Sequence, residues 1–275
     1  HAYAITITDN SVAAAALNSL DGKTTVAING STITTLTGTA ADLNTAYTSS
    51  GINGLGNEAV TLSDTSLDAA VLNALNGRTS GAINASNINT LTGNYADINT
   101  TYTAKAGEIN GLGNENITVS ASDRIRYTEA NNLDSYTSGI VTATVTHNDS
   151  SDSIRLTSQA QKLTGTGNAY SLKIAWHDSG TLSAANLLAL SNITTLAIDL
   201  SNVRRWFGNY ADIVALYAAI DSGTFTGLTN RQITVSDDIT VAQANTVDAL
   251  NGNGRVNGTI TSRSQSLMPL LVHQT

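Results

Sequence analysis

The densest cluster of recognition chemistry in this chain is Arg204-Arg205-Trp206-Phe207. It sets two cations beside two large rings in a sequence with only two Trp and two Phe. Exposed Arg and aromatic side chains are where interface energy concentrates, so these four residues are a candidate interaction patch for a partner chain or a glycan. The plainer reading is a repacked repeat with a charged edge, in which Trp206 takes the place of Leu36 and points inward while Arg204 and Phe207 point outward. The acidic pairs Asp149 with Asp152, and Asp237 with Asp238, offer the hard oxygen ligands that calcium takes. Both follow expected strands, where Asp also serves to cap a turn or a helix. His1, His147, His177 and His273 are isolated from one another, without the short spacing of a helical zinc site. A nucleophilic serine needs a base and an orienting group, and neither a Gly-x-Ser-x-Gly elbow nor a P-loop nor a dinucleotide fingerprint occurs. The expectation is a protein that is not an enzyme, with no catalytic residues and no cofactor, calcium at these aspartates being the one metal candidate.

The elements that would position such residues are written in repeats. Gly54-Leu55-Gly56-Asn57-Glu58 returns as Gly111-Leu112-Gly113-Asn114-Glu115, then more loosely as Gly165-Thr166-Gly167-Asn168-Ala169 and Gly227-Leu228-Thr229-Asn230-Arg231. An interval of roughly 55 to 60 residues, each splitting into halves of about 27, marks a tandem-repeat architecture with one strand and one helix per coil. Ile33 to Leu43 comes back as Ile88 to Ile98 and again as Val203 to Ile213, with Tyr47, Tyr102 and Tyr217 in register. In Val60-Thr61-Leu62-Ser63 and Ile117-Thr118-Val119-Ser120, branched and small polar residues alternate as a strand with one buried face requires. Ala69, Leu72 and Leu75, or Leu43 and Tyr47, fall at helical spacing.

Local chemistry marks the helix ends. Thr65 or Ser66 is expected to cap one kind of helix and Thr39 or Asn94 the other, with Asp42, Asp97 and Asp212 in the first turn. Gly51, Gly107 and Asn76-Gly77 stand where a left-handed C-terminal residue is wanted. Asn29-Gly30-Ser31, Asn84-Ala85-Ser86 and Asn192-Ile193-Thr194 match glycosylation sequons, but their plainer role is turn formation by the Asn side chain.

A single coil cannot bury its own apolar face, whereas stacked coils close a continuous core. The expected fold is an α/β right-handed solenoid, with handedness from the general rule for parallel crossovers. It would run over residues 1–261 as one elongated body with long repeats at about 5–58, 59–115, 116–169, 170–231 and 232–261. Residues 262–275 break the repeat. There Leu267, Met268, Leu270, Leu271 and Val272 form an apolar tail around Pro269, the only proline, suited to capping an open end or reaching a neighbouring molecule.

Composition narrows the partners. The net charge is −8, charged residues are 12% and aromatics 5%. This disfavours nucleic acid, whose binding rests on Lys and Arg neutralising phosphate. No apolar run approaches the roughly 20 residues of a membrane span. Cysteine is absent, which removes disulfides and thiolate metal sites.

Ser31-Thr32-Ile33-Thr34-Thr35-Leu36-Thr37-Gly38-Thr39-Ala40-Ala41-Asp42-Leu43 and Gly51-Ile52-Asn53-Gly54-Leu55-Gly56-Asn57-Glu58-Ala59-Val60-Thr61-Leu62-Ser63 resemble repeats of very large secreted or surface-associated bacterial proteins, cyanobacterial ones especially. The resemblance runs from Ile5 to about Ile260. It implies an adhesin or a cell-surface-layer-like component: extracellular, structural, self-associating into filaments or layers or touching surface glycans, with no catalytic residue to carry over. Such proteins are often exported beside calcium-binding modules, but their glycine-aspartate nonapeptide is missing here. The alternative is a secreted polysaccharide-binding or polysaccharide-cleaving module.

Overall fold

Alternation of small polar and branched apolar residues builds short strands whose inward side chains pack as a core, and whose edges must pair. In this chain they pair in parallel, each with a strand 20 to 27 residues further along. The computed structural model describes residues 2–104, 107–148, 152–156, 158–175 and 182–261. It divides into two compact units, residues 1–151 with 163–171, and residues 152–162 with 172–275.

The first unit runs β1 (Ser11–Ala13), α1 (Ala14–Asp21), β2 (Ile28–Asn29), β3 (Thr35–Gly38), α2 (Ala40–Thr48), β4 (Ile52–Asn53), β5 (Ala59–Leu62), β6 (Ser66–Asp68), α3 (Ala69–Asn76) and β7 (Ile83–Asn84). It continues through β8 (Thr90–Gly93), α4 (Tyr95–Tyr102), β9 (Ile109–Asn110), β10 (Asn116–Val119), β11 (Arg124–Ile125), α5 (Tyr127–Tyr136) and β12 (Val141–Val145) to β13 (Ala169–Leu172). One sheet has the order β1-β3-β5-β7-β9 and a second the order β11-β12-β10-β8-β6, with β13 beside β12. Ser11 lies opposite Thr35 and Thr35 opposite Ala59, a step of 24 residues each time. The step is 23 from Val60 to Ile83 and 26 from Ile83 to Ile109. Leu36, Val60, Ile83, Leu91 and Ile117 form buried rows across these ladders, joined by Ala69, Leu72 and Leu75 from α3 and Leu43 from α2.

The second unit contains α6 (Ala184–Leu188), β14 (Ile198–Asp199), β15 (Arg205–Gly208), α7 (Tyr210–Asp221), β16 (Phe225–Thr226), β17 (Gln232–Ile239), α8 (Val241–Asn251) and β18 (Val256–Ile260). Its main sheet is β15-β17-β18, again parallel, with Arg205 opposite Gln232, a step of 27, and Ile233 opposite Val256, a step of 23.

Thr39 and Asn94 cap α2 and α4 as expected, their side chains accepting from the amides of Asp42 and Asp97, and Asn209 does the same for α7. Each of these helices receives a second cap from the following coil. Asp64 accepts from the amide of Ala40 (2.8 Å), Asp123 from Tyr95 (2.6 Å) and Asp237 from Tyr210 (2.9 Å). The orphan amides at a helix start are thereby tied to a segment 24 to 28 residues further along the chain. Three expected signals fall differently. α3 is capped by Asp68, not by Thr65 or Ser66, because β6 extends through Ser66 and Leu67 before the helix starts. Gly77 ends α3 in right-handed geometry (φ −73°), and Gly51 is likewise outside the left-handed region that Gly107 occupies (φ 91°). Among the described residues, no helix is long and apolar enough to cross a membrane.

Candidate interaction surface

In β15 the strand alternation sends Trp206 inward and its neighbours outward. Trp206 takes the position of Leu36 in β3, is 3% exposed, and leans against Tyr217 with ring centroids 5.8 Å apart. Its indole N–H is buried without a hydrogen-bond partner among the described residues. Arg205 and Phe207 stand on the opposite face, exposed, and Arg204 just before the strand is exposed as well. The patch expected from sequence therefore splits: Trp206 belongs to the core and the other three residues to the surface.

Register brings further side chains to this face. Phe207 lies opposite Thr234, and Thr234 opposite Asn257. Gln232 lies opposite Arg205, and on its other side stands Arg255, which directly precedes Ile233's partner Val256. Arg255 donates from Nε to the Asn257 side-chain oxygen at 3.1 Å. Arg231 does not join them: its guanidinium turns back to the carbonyls of Ser201 (2.9 Å) and Gly227 (3.1 Å). In the first unit the matching outward positions of β3 and β8 hold Thr35, Thr37, Thr90 and Thr92. The face in the second unit thus trades small hydroxyls for two guanidinium groups and a ring. Neither the guanidinium groups nor the ring is a nucleophile or a general base.

The recurring glycine phrase has a structural use. Gly54, Gly111 and Gly227 are left-handed (φ 88°, 89° and 86°), and a Cβ on them would stand 2.9, 2.8 and 2.7 Å from the amide nitrogens of Ser31, Ser86 and Ser201 one coil back. Only glycine satisfies both conditions. The phrase then turns its glutamate inward. Glu58 is fully buried, accepting from the Gly56 amide at 2.8 Å and from the Tyr47 hydroxyl at 3.1 Å. Glu115 is held in the same way by the Gly113 amide at 2.7 Å and the Tyr102 hydroxyl. Where the phrase changes, amides replace the carboxylate. Asn168 donates to Asp134 at 2.7 Å and accepts from the Val141 amide, while Tyr217 donates to Asn251 at 3.0 Å. Burial pushes the phenols of Tyr47 and Tyr170 up, and that of Tyr217 up to about 12. Sequence reading missed Glu58 and Glu115 as partners of Tyr47 and Tyr102. Their constant place at the end of the phrase was the available signal.

The remaining candidates resolve one by one. Asp237 is engaged as a helix cap, and Asp238 stands further along β17 opposite Thr259. Asp152 pairs with Lys173 at 3.1 Å, while Asp149 lies outside the described residues. No group of three or more His, Asp or Glu side chains that would hold a metal occurs among the described residues. His147 is half-buried, and the other three histidines fall outside the described residues, as does the tail with Leu267, Met268, Leu270, Leu271 and Val272. The Asn29 and Asn84 side chains accept from the amides of Ser31 (3.1 Å) and Ser86 (3.0 Å), so both sequons are built into turns. Arg124–Ile125 forms a short strand on β12, and Glu129 accepts from the Arg126 amide as α5 begins.

Comparison with protein-family models, with curated proteins and with solved structures finds no match to this chain.

Proposed function

We propose that this chain is an extracellular structural or adhesive repeat protein of a cell surface or matrix, built as a right-handed α/β solenoid with coils of about 27 residues, and associating with copies of itself. The observation that supports this reading best is where the recurring residues are used. Gly54, Asp64, Asn73 and their counterparts all make contacts between successive coils, so the repeated positions serve stacking. Stacking leaves strand edges at the ends of a ladder: β1 and β18 each close their sheet order with one side unpaired among the described residues. Such edges pair with other chains unless blocked, and a head-to-tail contact that does not close builds filaments or layers. Sedimentation velocity and negative-stain electron microscopy test the proposal. Concentration-dependent growth into filaments or sheets is expected.

The outward face of Arg205 and Phe207 favours a second reading, a secreted polysaccharide-binding or polysaccharide-cleaving module. Release of new reducing ends from a panel of polysaccharides would decide for cleavage, and retention without release for binding alone.

A further inference from the structure

We infer that the outward face of β15, β17 and β18 binds an anionic polysaccharide, one carrying uronate or sulfate groups. The inference deepens the adhesive reading by naming a ligand class for the surface around Arg205 and Phe207. The face is made of two side-by-side rows. The first is Arg205 and Gln232, extended by Arg255 just before β18, and the second is Phe207, Thr234 and Asn257, with Ser183 on the other side of Phe207. With strands about 4.8 Å apart and side chains on one face about 7 Å apart along a strand, the two arginines flank a glutamine at about 10 Å, with the ring and two further polar side chains alongside.

Each group has a counterpart on such a ligand. Guanidinium forks match carboxylate or sulfate oxygens bidentately. Gln232, Thr234 and Asn257 offer donors and acceptors to sugar hydroxyls. Phe207, 36% exposed, offers an apolar face for the C–H side of a ring. Arg205 has no ion pair or hydrogen-bonded side-chain partner among the described residues, whereas Lys173 of the same unit is paired with Asp152. The carboxylates of the same strand stand at its far end, where Asp237 caps α7 and Asp238 lies beyond the irregularity between Thr234 and Asp238. They stand five and six residues from Gln232, about 17 to 20 Å, and three and four residues from Thr234, about 10 to 13 Å. A local cationic face in a chain of net charge −8 singles out this sheet.

The test is affinity retention and titration calorimetry of the full chain with polygalacturonate, dextran sulfate and unmodified dextran. We expect binding to at least one polyanion, weakening as salt rises, and none to dextran; the uronate and sulfate arms separate the two sources of charge. The double variant Arg205→Gln/Arg255→Gln, which keeps side-chain bulk and polar character, should lose at least about tenfold in affinity, and Phe207→Ser a similar factor. Arg78→Ala, at an exposed arginine of the first unit, should bind as the parent does. Circular dichroism and thermal midpoints confirm that the exposed substitutions leave the fold intact. Equal binding by the double variant, binding to neither polyanion, or equal binding to dextran overturns the inference. Self-association that vanishes in the double variant, with no polyanion retained, would assign this face to a second copy instead. Assembly of the parent chain is measured separately, so loss of filaments with polyanion binding intact would count against the self-association proposal alone.

Discussion

Gly111 and Glu58 show what single residues contribute. Gly111 is left-handed and also approaches the backbone of Ser86, whereas Gly107 is left-handed in open space. Gly107→Ala should therefore cost about 1 kcal/mol for its φ alone, and Gly111→Ala distinctly more, about 3 kcal/mol, in urea denaturation. Equal costs would refute the role given to the close approach. Glu58→Ala leaves a half-buried amide and a half-buried hydroxyl without their acceptor and empties a buried site, so a loss of about 2 kcal/mol is expected, against about 1 kcal/mol for Tyr47→Phe. The phenols add a pH dependence. Folded Tyr217 is raised to about 12, with Tyr47 and Tyr170 raised too, while an unfolded phenol ionises near about 10. The neutral form is favoured in the folded state, so this stability is whole below about pH 10 and falls away as pH climbs toward 12. Absorbance titration should show a late group of tyrosines ionising together with alkaline unfolding; titration of every tyrosine near 10 with the fold intact would contradict it.

At the level of elements, the recurring helices are tied to the coils that follow them. Asp64→Ala removes the cross-coil cap of α2 and should cost about 1 kcal/mol, as should Asp237→Ala for α7, with or without calcium present. A calcium-dependent cost for Asp237→Ala would instead revive the metal reading. Asn73 bridges α3 and α4, donating to the Asp97 carbonyl at 2.9 Å and accepting from Thr101 at 2.8 Å, so Asn73→Ala should cost about 2 kcal/mol. The Thr39 and Asn94 caps were legible in sequence because donor and acceptor lie three residues apart. The Asp64 and Asp123 caps were not, since their partners belong to another coil 24 and 28 residues away. Trp206 was readable as core by alignment with Leu36, but Arg255 was not readable as a companion of Arg205. Only the register of β15, β17 and β18 sets them on one face.

For the molecule as a whole, strand alternation, helical spacing and the glycine phrase were enough to foresee parallel strands interleaved with short helices. The uneven step between paired strands, from 20 to 27 residues, was not legible, because connecting loops vary in length without disturbing the inward rows. The face around Arg205 and Phe207 was visible only in part, as a departure from the repeat. The proposed role rests on the idea that coils built to stack inside one chain also associate between chains. Sedimentation velocity over a wide concentration range, with microscopy of the same samples in calcium and in chelator, tests that idea most directly. Species that grow with concentration and appear as filaments or sheets in both conditions are expected. A single monomer boundary across the whole range, with isolated particles on the grid, would contradict it.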